Sequence, residues 1–146
     1  MIGEIQKLRD TTGAGVMECK RAFEESGGDF DKAIKIIHEK GLLKAERKKE
    51  RGTSAGLIES YVHNERVGVL IEIRCETDFV ARAGDFRSLS HNIVMQIAAM
   101  NPIDVDSLLS QPYIKNESLT VGDLIKTVIA KTGENIKVER FCRYEI

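Results

Sequence analysis

Apolar residues in the first forty positions recur every three or four residues, as they do on one face of a helix. The three stripes are Ile2, Ile5 and Leu8; Val16, Cys19 and Phe23; and Phe30, Ala33, Ile34 and Ile37. Glycine-containing segments at 11–15 and 26–29 separate the stripes, and Gly41 is placed to end the third helix. Helices this short can bury their apolar faces only against one another, so we predict a compact three-helix bundle over residues 1–42.

The next segment, residues 43–52, is strongly charged. Between Lys44 and Arg51 it contains five basic and two acidic residues, and only Leu43 and Ala45 are apolar. Good helix formers with so little apolar surface are typical of an exposed helical linker. The basic side chains also make this segment a candidate RNA-binding patch, although the composition favours a solvated linker.

Beyond residue 53 the apolar period changes to two, which is the spacing of a half-buried strand. The alternating residues of this strand are Val67, Val69, Ile71, Ile73 and Cys75. The apolar segment 57–63 precedes it by three residues, so we predict a β-hairpin. Residues 136–146 alternate as well, with Val138, Cys142, Tyr144 and Ile146 on one side, and predict a third, antiparallel strand.

Helical spacing also appears within this second half of the chain. One stripe consists of Phe86, Leu89, Ile93, Ile97 and Met100, and a shorter helix is predicted over 121–131 with Thr120 as its N-cap and Gly133 behind it. Residues 103–119 predict an irregular connecting loop. We therefore predict an α+β protein with a three-helix module (1–42), a basic helical linker (43–52) and a core module (53–146) in which helices pack on a three-stranded antiparallel sheet.

Composition restricts the function classes. The 146 residues carry a net charge of −1, which gives no general attraction to nucleic acid. Three scattered cysteines and three scattered histidines predict neither a disulfide framework nor a metal site, and no phosphate-loop, serine-nucleophile or zinc-hydrolase motif occurs. We expect no covalent catalysis and no cofactor. Without a membrane-length apolar run or a signal-peptide pattern, we also expect no membrane association and a cytoplasmic location.

One short segment is unusual on physical grounds. The predicted strand at 67–75 is followed by Glu76-Thr-Asp-Phe-Val80, in which Thr77 or Asp78 can cap a short helix and Phe79 falls in its first turn. An aromatic residue at such a corner is either part of the core or a projecting side chain, and spacing alone favours the core. His63 lies at a strand end beside a turn, where surface residues are common.

Two longer stretches carry a resemblance to a known family. Residues Leu8-Arg-Asp-Thr-Thr-Gly-Ala-Gly-Val-Met-Glu-Cys-Lys20 are similar to the N-terminal signature of elongation factor Ts, and Cys75-Glu-Thr-Asp-Phe-Val-Ala81 is similar to its second signature. Further matches are Tyr61-Val-His63 with Arg66-Val-Gly-Val-Leu70, and Gly133-Glu-Asn-Ile136 with Arg140-Phe-Cys-Arg143. The resemblance covers nearly the whole chain and is weakest over 101–121.

The resemblance implies a guanine nucleotide exchange factor for elongation factor Tu. It implies a ubiquitin-associated-like N-terminal bundle that docks on the partner's GTP-binding domain, with contact positions at Arg9, Val16, Met17 and Lys20. It also implies an exchange wedge at Thr77, Asp78, Phe79 and Val80, where Phe79 enters a pocket near the partner's magnesium and phosphate sites. His63 is implied to press on the same domain near its phosphate loop. Phe79 is then expected to project, contrary to its spacing.

The length of the chain adds a further expectation. The resemblance implies that larger relatives have two copies of the core, whereas residues 53–146 hold one. The long helical hairpin of the relatives is missing here, because only eight residues separate Pro102 from Gln111. A single-copy form is implied to act as a homodimer, with an exposed sheet edge such as the C-terminal strand as a candidate surface. Cys142 is then either a small buried residue or a thiol that pairs across the dimer. An alternative function is a non-catalytic adaptor that binds partners through the three-helix module.

Overall fold

The computed structural model describes residues 1–146 and contains seven helices and five strands. The predicted α+β class is confirmed. None of the helices is both long and apolar enough to cross a bilayer. In chain order the elements are α1 (Ile2–Thr12), α2 (Val16–Glu25), α3 (Phe30–Lys48), β1 (Ala55–His63), β2 (Val67–Cys75), α4 (Asp78–Ala81), α5 (Gly84–Met100), α6 (Val105–Ser110), β3 (Pro112–Tyr113), β4 (Asn116–Thr120), α7 (Val121–Thr132) and β5 (Lys137–Glu145).

The first three helices pack around a small core of their own. The Asp29 carboxylate caps α3 by accepting a hydrogen bond from the Lys32 amide at 3.1 Å, and Gly13 ends α1 in the left-handed conformation. The predicted trio of packed helices is therefore confirmed. The fully or almost fully buried residues of this small core are Leu8, Cys19, Ala22, Ala33 and Ile37.

The third helix does not end at Gly41, so that prediction is wrong. Helix α3 continues to Lys48, and Gly41 lies inside it, where a Cβ atom would stand 3.2 Å from the methyl group of Ala130 on α7. Glycine thus permits close approach of the two helices. Ala45 is buried in the main core, and the Glu46 carboxylate pairs with Lys126 of α7 at 3.1 Å. Residues 43–48 are helical as predicted, but as the end of α3.

The main core lies between the three-stranded sheet and the later helices. Strand β2 lies between β1 and β5 and is antiparallel to both, which confirms the predicted three-stranded antiparallel sheet. Its inward side chains pack with α5, whose predicted stripe is buried except for Met100, which is half exposed. Helix α7 has the predicted Thr120 cap and ends at Gly133 in the left-handed conformation. The inward residues of β2 are Val69, Ile71, Ile73 and Cys75.

A bulge changes the face on which half of β5 lies. Ile73 pairs with Val138, but its neighbour Glu72 pairs with Arg140, so β5 has one extra residue at this point. Val138 therefore points into the core, whereas Cys142 and Tyr144 lie on the outer face. The expectation that these residues share one face is wrong, and so is the interpretation of Cys142 as a buried residue.

Residues 103–119 are more regular than the sequence predicted. They form α6 and the small β3–β4 hairpin rather than an irregular loop. The buried Gln96 amide organises this region: it donates to the Pro112 carbonyl at 3.1 Å and to the Gln111 side chain at 3.2 Å, and it accepts from the Ile114 amide at 2.9 Å. A single side chain of α5 thus anchors the short β3–β4 hairpin, whose own antiparallel pairing contains an irregularity.

Candidate functional site

Helix α4 forms a corner at which an aromatic side chain projects into solvent. Phe79 is 86% exposed, whereas its neighbours Val80 and Ala81 are almost fully buried. One turn of helix cannot bury all of its positions, and here the two later residues face the core. Asp78 is exposed beside Phe79. The structure thus contradicts the core placement that spacing favoured and agrees with the projecting side chain that the resemblance implied.

The cap of α4 is the Thr77 hydroxyl, which accepts a hydrogen bond from the Val80 amide at 3.3 Å. Asp78 lies in the first turn of α4, where the positive end of the helix dipole stabilises a carboxylate. Of the two candidate caps, Thr77 therefore supplies the cap, and the Asp78 side chain remains at the surface beside Phe79.

His63 lies at the opposite end of the hairpin. It ends β1 at a three-residue connection in which Asn64 and Glu65 both have positive φ, as the two central residues of a type I′ turn do. The His63 ring is held from both sides: Nδ1 lies 2.9 Å from the Tyr61 hydroxyl and Nε2 lies 3.3 Å from the Asn64 amide nitrogen. The imidazole is exposed and has a defined orientation.

The two candidate contacts do not come together within one chain. His63 pairs with Val67 at one end of the hairpin, and Ala55 pairs with Cys75, just before the Phe79 corner, at the other. Nine-residue strands at about 3.3 Å per residue separate these ends by about 26 Å. A single partner surface in contact with both residues of one chain would need to span the whole hairpin.

The predicted docking residues of the N-terminal module flank the turn between α1 and α2. Arg9 lies in the last turn of α1, and Val16, Met17 and Lys20 lie in the first turns of α2. All four are exposed, including the two apolar side chains, Val16 at 47% and Met17 at 58%. The structure therefore places these residues on either side of one turn, accessible to a partner.

The outer face of the sheet is a second apolar surface. No helix covers this face, and its cross-strand rows are Val62–Gly68–Tyr144 and Ser60–Leu70–Cys142, with Ile58 in the next row. The bulge reverses the parity of β5 and so places Cys142 and Tyr144 on this face, which their spacing did not predict. Its exposed side chains are Ile58, Val62, Leu70, Cys142 and Tyr144.

Charged residues border this apolar face. The Glu72 carboxylate lies 2.7 Å from Arg74 Nε and 3.0 Å from Arg140 Nε. Hydrogen bonding to Arg74, reinforced by Arg140, holds the pKa of the Glu72 carboxyl below its usual range. No group of three or more His, Cys, Asp or Glu side chains is arranged to hold a metal ion. The chemistry available at these surfaces is the burial of apolar side chains within a polar border.

These features define the class: an α+β protein whose candidate sites are protein-binding surfaces. The family model described as Elongation factor TS matches residues 76–146, beginning at the Phe79 corner. Elongation factor Ts of Thermotoga petrophila is 42% identical over 97% of this chain and 94% of its own length. The protein of the same name from Coprothermobacter proteolyticus is 42% identical over 97% of this chain and 95% of its own length. The chain belongs to the elongation factor Ts family.

The alignments also show where this chain differs in size. The comparison with the Thermotoga petrophila protein spans 186 positions, whereas this chain has 146 residues, so at least 40 residues of that relative have no counterpart here. Elongation factor Ts of Gloeothece citriformis is 40% identical over 96% of this chain but only 65% of its own length. Within the aligned region, this chain is thus at least 40 residues shorter than the Thermotoga petrophila relative.

Proposed function

We propose that this chain is a guanine nucleotide exchange factor for elongation factor Tu, with Phe79 as its exchange wedge. The observation that carries the proposal is the 86% exposure of Phe79 on a helix whose next two residues are buried. An exposed aromatic side chain on an anchored corner is suited to insertion into another protein. Membership of the elongation factor Ts family supports the choice of elongation factor Tu as that protein.

The proposed mechanism requires no covalent step. The chain binds nucleotide-free elongation factor Tu more tightly than the GDP-bound form, and by linkage it lowers the affinity for GDP by the same factor. Complete burial of one Phe side chain contributes about 1.5–3 kcal/mol. If that energy is gained only when the magnesium and phosphate site of elongation factor Tu is distorted, GDP leaves about 10- to 100-fold faster, since about 1.4 kcal/mol corresponds to a factor of ten in an equilibrium or rate constant.

The other residues have supporting roles in this proposal. Arg9, Val16, Met17 and Lys20 dock the N-terminal module on the GTP-binding domain, and this contact brings the corner to its target. Thr77 and Val80 fix α4, while Asp78 is exposed beside the wedge and free to accept a hydrogen bond from the partner. The oriented ring of His63 presses on the same domain near its phosphate loop.

The direct experiment follows the release of fluorescent GDP from elongation factor Tu after addition of excess unlabelled nucleotide. We expect micromolar amounts of this chain to accelerate release by at least about tenfold. A matched control is Glu117→Ala, which changes an exposed residue of β4 far from the proposed contacts. Unchanged release with the wild-type chain would contradict the proposed function.

We further propose that the chain acts as a homodimer formed by the outer faces of two sheets. Five exposed apolar side chains on that face favour burial against a second copy, and face-to-face sheet packing is a common arrangement. In such a dimer the twofold axis lies in the interface plane. If the axis is perpendicular to β2, the strands of the two copies run in opposite directions, and Phe79 of one copy approaches His63 of the other.

Complementation between two variants tests this shared site. Phe79→Ala and His63→Ala chains each lack one contact, but their mixed dimer has one intact pair. Statistical mixing gives half mixed dimers, so the mixture should recover about a quarter of wild-type activity. If each chain used its own Phe79 and His63, mixing would restore nothing beyond the average of the two variants.

Two further aspects follow from the proposed partner. A factor that serves elongation factor Tu works in the cytoplasm. The basic segment that was a candidate RNA-binding patch is partly neutralised by acidic neighbours, because Lys44 pairs with Glu18 at 2.9 Å and Lys49 with Glu46 at 2.9 Å. We therefore propose protein contacts and no direct nucleic-acid contact.

A further inference from the structure

The turn between α7 and β5 holds the Phe79 corner through one carboxylate. Glu134 Oε1 accepts hydrogen bonds from the backbone amides of Glu76 at 3.1 Å and Thr77 at 2.9 Å. Its second oxygen, Oε2, accepts a hydrogen bond from the Thr77 hydroxyl at 2.7 Å. Three donors thus converge on one side chain more than fifty residues away in sequence. Local sequence patterns around Glu134 do not indicate this contact, although Gly133-Glu-Asn-Ile136 resembles the family pattern.

The Thr77 hydroxyl transmits this contact to α4. Because it donates its proton to Glu134, its lone pairs are available to the Val80 amide, which caps the helix. Helix α4 has only four residues and is too short to be stable alone, so its orientation depends on what holds its ends. Buried Val80 fixes one side, and the contact of Thr77 with Glu134 fixes the start.

The turn that carries Glu134 is itself held firmly. Asn135 is almost fully buried, its backbone amide donates to Glu76 Oε1 at 2.8 Å, and its side-chain nitrogen donates to the Arg51 carbonyl at 2.8 Å. Arg51 also donates to the Gly133 carbonyl at 3.4 Å. The end of the segment after α3, the α7–β5 turn and the start of α4 are therefore joined by one network of hydrogen bonds.

We propose that Glu134 is the positioning residue for the exchange wedge: it orients α4 through Thr77 and so directs Phe79 toward the partner. This proposal rests on the proposed exchange function. Glu134 acts through Phe79 and makes no contribution of its own to docking, which is assigned to the N-terminal module. Loss of the Glu134 carboxylate should therefore lower the maximal rate of GDP release. The concentration of this chain that gives the half-maximal rate should stay unchanged.

The test combines Glu134→Ala with the GDP-release assay. We expect the maximal rate to fall about tenfold, as expected for lost hydrogen bonds to a charged group, with a change of less than about twofold in the half-maximal concentration. Glu134→Gln keeps an acceptor for the two amides but places an NH₂ group opposite the Thr77 hydroxyl, so its loss should be intermediate. In the Phe79→Ala background, Glu134→Ala should cause no further loss.

Amide hydrogen exchange of the chain alone provides an independent readout. In Glu134→Ala the amide of Thr77 should lose protection, whereas Glu134→Gln keeps an acceptor for this amide and should retain most of it. Glu117→Ala should leave the protection unchanged. Wild-type maximal rates in both Glu134 variants, or a full additional loss in the Phe79→Ala background, would overturn the positioning role. An inactive wild-type chain would instead contradict the proposed function, and retained Thr77 protection in Glu134→Ala would refute the contact itself.

Discussion

Replacement of Phe79 by Ala separates binding energy from folding energy in this chain. The side chain is 86% exposed, so its removal takes almost nothing from the core. Surface substitutions of this kind usually change the free energy of unfolding by less than about 0.5 kcal/mol. The same side chain, buried in a partner, can contribute about 1.5–3 kcal/mol. We therefore expect a large loss of exchange with an almost unchanged thermal transition.

The matched control is Phe86→Ala. Phe86 is fully buried in the main core, and replacing such a residue by Ala typically costs about 3–5 kcal/mol of stability. The two substitutions delete the same atoms, but only the second should lower the melting temperature markedly. Calorimetry measures the loss of folding stability in each variant, and the GDP-release assay measures the loss of exchange activity. Both losses can then be compared as free energies.

The expected result for Phe79→Ala is a 10- to 100-fold slower stimulated release, which corresponds to about 1.5–3 kcal/mol. Wild-type exchange by this variant would refute the assignment of Phe79 as the wedge. Destabilisation comparable to that of Phe86→Ala would refute the physical argument, because it would show that Phe79 contributes to the core.

Three further predictions concern the sheet. Leu70→Glu places a charge in the middle of the outer face, so sedimentation should show monomers at concentrations where the wild-type chain forms dimers. A wild-type chain that is monomeric at all concentrations would refute the dimer. Under reducing conditions at pH 8, iodoacetamide should modify exposed Cys142 before buried Cys75, because burial raises the pKa of the Cys75 thiol. Dimerisation should slow the modification of Cys142. Equal rates for the two thiols would contradict the prediction. Gly56→Ala should lower the free energy of unfolding, measured in urea, by more than about 2 kcal/mol. The φ angle of Gly56 is +151°, and a Cβ atom at this position would lie 2.8 Å from Arg74 Cα. Wild-type stability would show that the strand can adjust.

The helices and strands with a strong apolar period were predictable because local patterns determine them. Alternation at Val69, Ile71 and Ile73 requires a half-buried strand, and the Thr120 cap with Gly133 delimits α7 without reference to the rest of the chain. The end of α3 was not predictable in this way. Gly41 has the local character of a helix stop, but the close approach of Ala130 on α7 makes it a packing residue.

The candidate site was predictable only in part, for a similar reason. Phe79 has the spacing of a core residue, and its exposure follows from tertiary anchoring of Val80 rather than from periodicity. The placement of Cys142 and Tyr144 on the outer sheet face depends on a single bulge opposite Glu72, which has no clear sequence signal. Glu134 is linked to Thr77 across 57 residues, a distance at which local patterns carry no information.

The central claim is that this chain binds nucleotide-free elongation factor Tu more tightly than the GDP-bound form. Titration calorimetry of the chain against both forms measures this difference directly. The account predicts an affinity at least about tenfold higher for the nucleotide-free form, with GDP affinity lowered by the same factor in the complex. Equal affinities for the two forms would contradict the account, because a ligand without preference cannot shift the nucleotide equilibrium.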